Sequence, residues 1–313
     1  LQFMKFGDKK IPAALGLLLP LVCKIKRIPT IVLLHNILEQ VDLKKAGFTS
    51  NKILQKIYGL TGSFLTRLIL KADVVAVTMK KYVGVLEKKY KVQNVVAIPH
   101  GTFEVSKQPT FKLPEGALKI MTFGKFGTYK KVELLIEAVQ EVRKSTGMDL
   151  EIVIAGTDNP NVPGYLERVK KKYAYVPKVF FTGYIEESDV PQLFEDSAVV
   201  VFPYTSTTGS SGVLHQAGSY GKAVIMPDLG DLSLLVKEEG YQAEFFEPTS
   251  VLSLAKSIEA IVTNEPYRIA IGKANYAAAT AYPMSKIADI YLETFNNITN
   301  RDKSKSSITY QVN

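Results

Sequence analysis

Two short segments of this 313-residue chain combine the residue types that hold charged or hydroxyl-rich ligands. The first, Gly124 to Lys131 (GKFGTYKK), brings two glycines and three lysines together at the start of an expected helix. The second, Thr205 to Gly212 (TSTTGSSG), follows the apolar run Val199–Phe202 and Pro203, and the apolar turn from Val213 reads as the next helix. Glycines let backbone N–H groups approach a ligand, and a helix start adds unpaired amides and the positive end of its dipole. Lysines there supply full charge. Such a place suits a phosphate, or a leaving group on which negative charge develops. The three histidines, His35, His100 and His215, are far apart in sequence and form no HExxH or CxxC grouping, so no metal is expected. His35 follows the apolar run Thr30–Leu34 (TIVLL), which places an imidazole at a strand's carboxyl edge.

Alternating β and α runs are the scaffold that must position these groups. Apolar, β-branched runs at 30–34, 73–77 and 95–98 alternate with helical patterns, among them a long amphipathic one over 52–71 with Asn51 as its N-cap. Residues 1–5 read as a further strand, and 11–26 as a helix. Residues 102–116 (TFEVSKQPTFKLPEG) hold two prolines, mixed charge and no periodicity, and so read as a linker. A second series follows, with strands expected at 118–123, 150–155, 179–182, 198–202, 223–226 and 243–246, then helix from Pro248 to about Asn296. The alternation implies α/β architecture, with parallel strands, right-handed crossovers and ligand groups gathered at the carboxyl edge. The tail 300–313 is polar, rich in lysine and serine, and expected to be disordered.

Hydrophobic content of 46% and charged content of 22% are those of a soluble globular protein. A single cysteine, Cys23, excludes a disulfide framework and fits a reducing compartment. The net charge of +9 favours an anionic partner. Nucleic acid is not that partner: there is no RNP-like aromatic motif, no zinc-finger spacing and no tryptophan. The run Ile11–Cys23 is too short to cross a hydrocarbon core and ends in Lys24, Lys26 and Arg27. It reads as a helix packed on a sheet, or as an apolar-basic helix lying on a membrane.

Taken in order, TIVLLHN, VVAIPHG, GKFGTYKK, IVIAGT, VFFTGYI and SSGVLHQAGSYGKAVI resemble the landmarks of the GT4-type glycosyltransferases of the GT-B fold. The resemblance implies two Rossmann-like domains with parallel sheets facing a cleft. They are a partial N-terminal domain over 1–101, the linker 102–116 and a C-terminal domain over 117–282, with a last helix at 283–299 crossing back. It implies transfer of a sugar from a nucleotide-sugar donor, with retention at the anomeric carbon and no metal or other cofactor. Donor contacts carried over are Gly124, Lys125, Gly127, Lys130, Gly156, Tyr184, Thr208, Gly209, Ser210, Ser211, Gly212 and Gln216, with His35 as the catalytic residue beside the donor sugar. A lipid-linked or glycan acceptor and peripheral attachment to the cytoplasmic face of an anionic membrane complete the expectation.

The chain departs from the family in two places. The family's paired glutamates, eight positions apart, fall on Thr208 and Gln216, and Lys125 replaces an arginine, losing a bidentate fork. The likeness also begins midway through the family's N-terminal domain, so the first βα units are missing from this sequence. These departures keep a second expectation open, a catalytically silent GT-B-like protein that binds a nucleotide sugar or a partner.

Overall fold

The computed structural model describes residues 16, 18–35, 37, 51–103, 108–206 and 211–308, with side chains as far as residue 300. The strand expected at 1–5 lies outside the described residues, as does most of the run Ile11–Cys23 before its last turns. The first series consists of α1 (Leu19–Ile25), β1 (Ile31–Leu34), α2 (Lys52–Ile69), β2 (Val74–Val77), α3 (Lys80–Tyr90) and β3 (Val95–Ala97). Its strands form a parallel sheet in the order β1-β2-β3. Asn51 caps α2, its side-chain oxygen accepting the amides of Ile53 and Leu54.

The second series runs β4 (Leu118–Phe126), α4 (Val132–Thr146), β5 (Leu150–Asp158), α5 (Tyr165–Lys172), β6 (Val179–Gly183), α6 (Val190–Asp196), β7 (Ser197–Val201), α7 (Gly212–Ser219), β8 (Ala223–Pro227), α8 (Gly230–Glu239) and β9 (Glu244–Phe246). Three helices follow, α9 (Val251–Val262), α10 (Glu265–Thr280) and α11 (Met284–Ile308). The six strands lie parallel in the order β6-β5-β4-β7-β8-β9. Their period-two alternation feeds two cores. Ile120, Val199 and Val201 pack with α4 and α9, whereas Met121, Val200 and Phe202 pack with α7 and α8. A parallel sheet buried on both faces needs such continuous apolar strands, and the sequence supplies them.

Three elements run well past their expected ends. β4 and β5 run three residues beyond their expected ends, pairing Gly124, Lys125 and Phe126 with Gly156, Thr157 and Asp158. Fully buried Phe126 anchors one extension, and the Asp158 carboxylate anchors the other by accepting the amides of Gly164 and Leu166. At the far end α11 continues to Ile308, past the expected break at 300, because extending an established helix adds one hydrogen bond per residue fixed.

The two sheets are joined rather than merely tethered. One apolar cluster holds Leu34, Val75, Val77 and Tyr82 together with Leu214, Leu232 and Tyr241. Thr102 exchanges backbone hydrogen bonds with Tyr282 and Met284, and Gly101 leaves room for Met284 and Ile287, whose side chains a Cβ there would meet at 2.7 and 2.8 Å. From that clamp α11 returns to the small sheet, where Ile287, Ile290 and Tyr291 cluster with Leu33, Ala76, Val96 and Ile98.

Candidate functional site

In the six-stranded sheet the chain moves outward in one direction from β4 and in the other from β7, so a crevice opens between the carboxyl ends of these neighbours. Both glycine-containing segments sit there. Lys131 N–H donates to the Pro203 carbonyl at 2.9 Å, Thr205 N–H to the Tyr129 carbonyl at 2.8 Å, and Lys130 forms an antiparallel bridge with Tyr204. The loops after β4 and β7 are thus laced into one rim.

Lys130 is the charge at its centre. Its ammonium lies 4.7 Å from the centre of the Tyr204 ring, and 2.7 Å from where a Cβ on Gly124 would stand. Burial holds its pKa below the usual lysine value, with the Tyr129 phenol acting against that shift. Among the described residues no carboxylate pairs with it. A cation this desolvated and unpaired is costly unless an anion arrives to complete it.

The glycines make the space. Gly124 and Gly156 are register partners with φ of +137° and +133°. A Cβ on Gly156 would stand 1.9 Å from the Gly124 carbonyl oxygen, so only glycine fits. Gly127, at φ +110°, lets the Tyr165 ring approach. That ring corrects one expectation: Tyr165 Oη accepts the Val132 amide and donates to Glu133, so the first amide of α4 is already occupied. The start of α7 differs. Ser211 caps it without a side-chain bond to its amides, and its hydroxyl instead bonds the buried Tyr204 phenol. Exposed Gly212 opens that helix.

The other expected donor contacts divide. Gln216 is half-buried on α7, one turn from Gly212. Lys125 is exposed on extended β4, opposite in the pleat to buried Phe126. Tyr184 is 75% exposed beyond β6. Thr208, Gly209 and Ser210 lie outside the described residues.

The sequence reading missed how the histidines meet. His35 follows β1, His100 lies three residues beyond β3, and His215 is in α7, yet their rings form a row. His35 and His100 have centroids 6.1 Å apart, and His100 stacks on His215 at 4.6 Å with 9° between planes. His100 Nδ1–H donates to the Gly101 carbonyl, 2.8 Å away, and His215 Nδ1 lies 2.9 Å from the Tyr241 hydroxyl. Burial lowers the pKa of all three, that of His215 to about 3, and the neighbouring His100 lowers His35 and His215 further. The rings are therefore neutral near pH 7. Behind His215 lies Glu239, with Nε2 to Oε2 at 3.5 Å. That spacing would suit an ion pair, but burial raises Glu239 to about 8 while depressing His215, so the pair is neutral acid and neutral imidazole. The one sequence signal for this row was the VVAIPHG ending, which repeats the strand-to-histidine pattern of TIVLLHN.

Residues 117–264 match the family described as Glycosyl transferases group 1. No curated protein matches the chain. Among solved structures the chain is similar to HepE of Anabaena in complex with UDP, at 17% identity over 91% of this chain and 77% of that one, TM-score 0.71. It is also similar to sucrose-phosphate synthase of Thermosynechococcus elongatus, at 17% identity over 93% and 72%, TM-score 0.70. TarM of S. aureus aligns at 16% identity over 86% of this chain and 51% of its own, TM-score 0.64. The fold is GT-B, with three strands described in the N-terminal sheet.

Proposed function

We propose that this protein is a retaining, GT4-type glycosyltransferase that moves a sugar from a nucleotide diphosphate to a lipid-linked or glycan acceptor. The observation that carries the reading is Lys130, a half-buried cation without a carboxylate partner among the described residues, set at the switch-point crevice beside the open start of α7. The match of residues 117–264 to a glycosyltransferase family supports it, and so do HepE structures holding UDP and UDP-glucose. In this reading the division is 1–101, 102–116, 117–282 and 283–299.

The chemistry follows from the side chains. The bond between anomeric carbon and phosphate oxygen breaks as an acceptor hydroxyl bonds to that carbon, and the hydroxyl proton passes to the departing phosphate or to water. Lys130 and the α7 amides stabilise the charge on the diphosphate. His35, kept neutral by burial and by His100, can donate to one sugar hydroxyl or accept from another without adding charge. Uncharged Thr208 and Gln216 in place of the family's glutamates favour a second reading, binding without turnover.

One panel tests both. Nucleotide sugars, UDP-glucose first, are screened by thermal shift and then for hydrolysis or transfer. A selective rise in melting point with turnover supports the transferase, because a ligand that binds only the folded state stabilises it by mass action. Binding without turnover supports the silent protein, and no binding removes the transferase and leaves only a silent protein that binds a partner.

A further inference from the structure

Helices α1 and α2 pack side by side and turn their apolar residues outward. On α2 the face towards the protein is made of Gly62, Thr66 and Ile69. The opposite stripe, Ile53, Ile57, Leu60 and Phe64, steps by four, three and four residues and is 71, 51, 69 and 59% exposed. α1 and its N-cap repeat the pattern in Leu18, Val22 and Ile25, exposed by 38, 43 and 73%. A helix that buries small residues and shows its i, i+4, i+7 stripe to water is inverted relative to an ordinary surface helix. Contiguous apolar surface of this kind marks an interaction face.

Charge selects the partner. Residues 18–35 carry three cations, Lys24, Lys26 and Arg27, and residues 51–71 carry four, Lys52, Lys56, Arg67 and Lys71. Neither stretch contains an aspartate or glutamate. By the helical step Lys56 and Arg67 border the exposed stripe of α2. A second copy docked through the same face would bring these like charges together, which disfavours it. No helix among the described residues is long and apolar enough to cross a membrane.

We propose that the α1–α2 face docks on an anionic lipid bilayer, the two stripes entering the boundary between headgroups and acyl chains while the flanking lysines and arginines meet lipid phosphates. Apolar burial and attraction to anionic lipid act together in such contacts, and the second is screened by salt over about 10 Å at about 0.1 M. The docking does not depend on the transferase reading. It would also hold for a protein that binds donor without turning it over.

The test is flotation of the full chain with vesicles of equimolar phosphatidylcholine and phosphatidylglycerol, against phosphatidylcholine alone, at low and high salt. Expected is binding to the anionic vesicles that weakens as salt rises. The double variants Ile57→Glu/Leu60→Glu and Lys52→Glu/Lys56→Glu should each lose at least about tenfold in partitioning, the first by removing buried apolar area and the second because each basic residue at the surface contributes about a fivefold step. Both should keep wild-type melting and nucleotide-sugar response, as all four side chains are exposed. Equal recovery with neutral vesicles, no recovery with anionic ones, or full binding by Ile57→Glu/Leu60→Glu would each overturn the proposal. So would light scattering that shows a dimer abolished by that variant, which would assign the face to a second copy.

Discussion

The six-stranded and three-stranded parts of this molecule are built to different densities. In the larger part both sheet faces are covered, and at Gly156 backbone meets backbone so closely that no side chain fits. In the smaller part the helices carry exposed apolar stripes, and the helical glycines Gly59 and Gly84 have open space where a Cβ would stand. The smaller sheet completes its cores with residues from elsewhere, Leu214 and Leu232 on one side and Ile287 on the other. The dense part can hold the half-buried Lys130 cation in place, while the sparse part contributes strand-end histidines that lean on α7. Rigidity and reach are thus divided between the two.

The same substitution made in each part gives the strongest test of that contrast. Gly156→Ala puts a Cβ 1.9 Å from a carbonyl oxygen at φ +133°, so β4 and β5 must separate. A loss of about 4 kcal/mol or more, or failure to fold, is expected in denaturant unfolding. A wild-type midpoint would dissolve the contrast.

Next comes a division of labour between the two parts. His35→Ala should lose about 100-fold in turnover while binding nucleotide within about threefold of wild type. Lys130→Ala should weaken nucleotide diphosphate binding by about 1.5 to 3 kcal/mol in calorimetric titration. If both variants lost affinity alike, the two parts would not have separate tasks.

The neutral pair behind the histidine row makes stability depend on pH. Glu239 has a folded pKa raised from 4.5 to about 8, so its contribution is complete below 4.5 and is lost as pH rises towards 8. The slope reaches about 1.4 kcal/mol per pH unit while the folded chain alone holds the proton. His215, lowered from 6.5 to about 3, acts oppositely, losing its contribution as pH falls below 6.5. Glu239→Gln should remove the decline on the alkaline side, read as unfolding free energy from about pH 6 to pH 8. Parallel curves for variant and wild type would mean that Glu239 is ionised throughout. The smallest effect belongs to the sparse part, where Gly84→Ala on exposed α3 should stabilise by about 0.5 to 1 kcal/mol. A loss there would show hidden packing against α3.

Much of this was legible in the sequence because parallel strands buried on both faces announce themselves as short β-branched runs, and Val199–Phe202 and Thr30–Leu34 are such runs. Asn51 announced α2, and GKFGTYKK marked the rim that holds Lys130. What stayed hidden was tertiary. The histidine row joins positions 35, 100 and 215, brought together only when two sheets meet. The extension of β4 through Gly124 depended on Gly156 lying beside it, and that extension is what turned Lys125 out to solvent. Periodicity found α2 but could not say which of its faces turns inward, since an apolar stripe has the same spacing in a core and on a docking surface.

The return of α11 to the small sheet also sets an order of events during synthesis. Ile98 leaves the ribosome about 190 residues before Ile290, its companion in the cluster beneath the sheet. At roughly 5 to 20 residues per second this is an interval of roughly 10 to 40 s. During it Leu33, Ala76, Val96 and Ile98 have no helix to cover them, while the six-stranded part can already assemble its own strands. The sheet whose strands are translated first is the one that closes last, and its exposure to chaperones and to aggregation is timed by the position of α11 in the message.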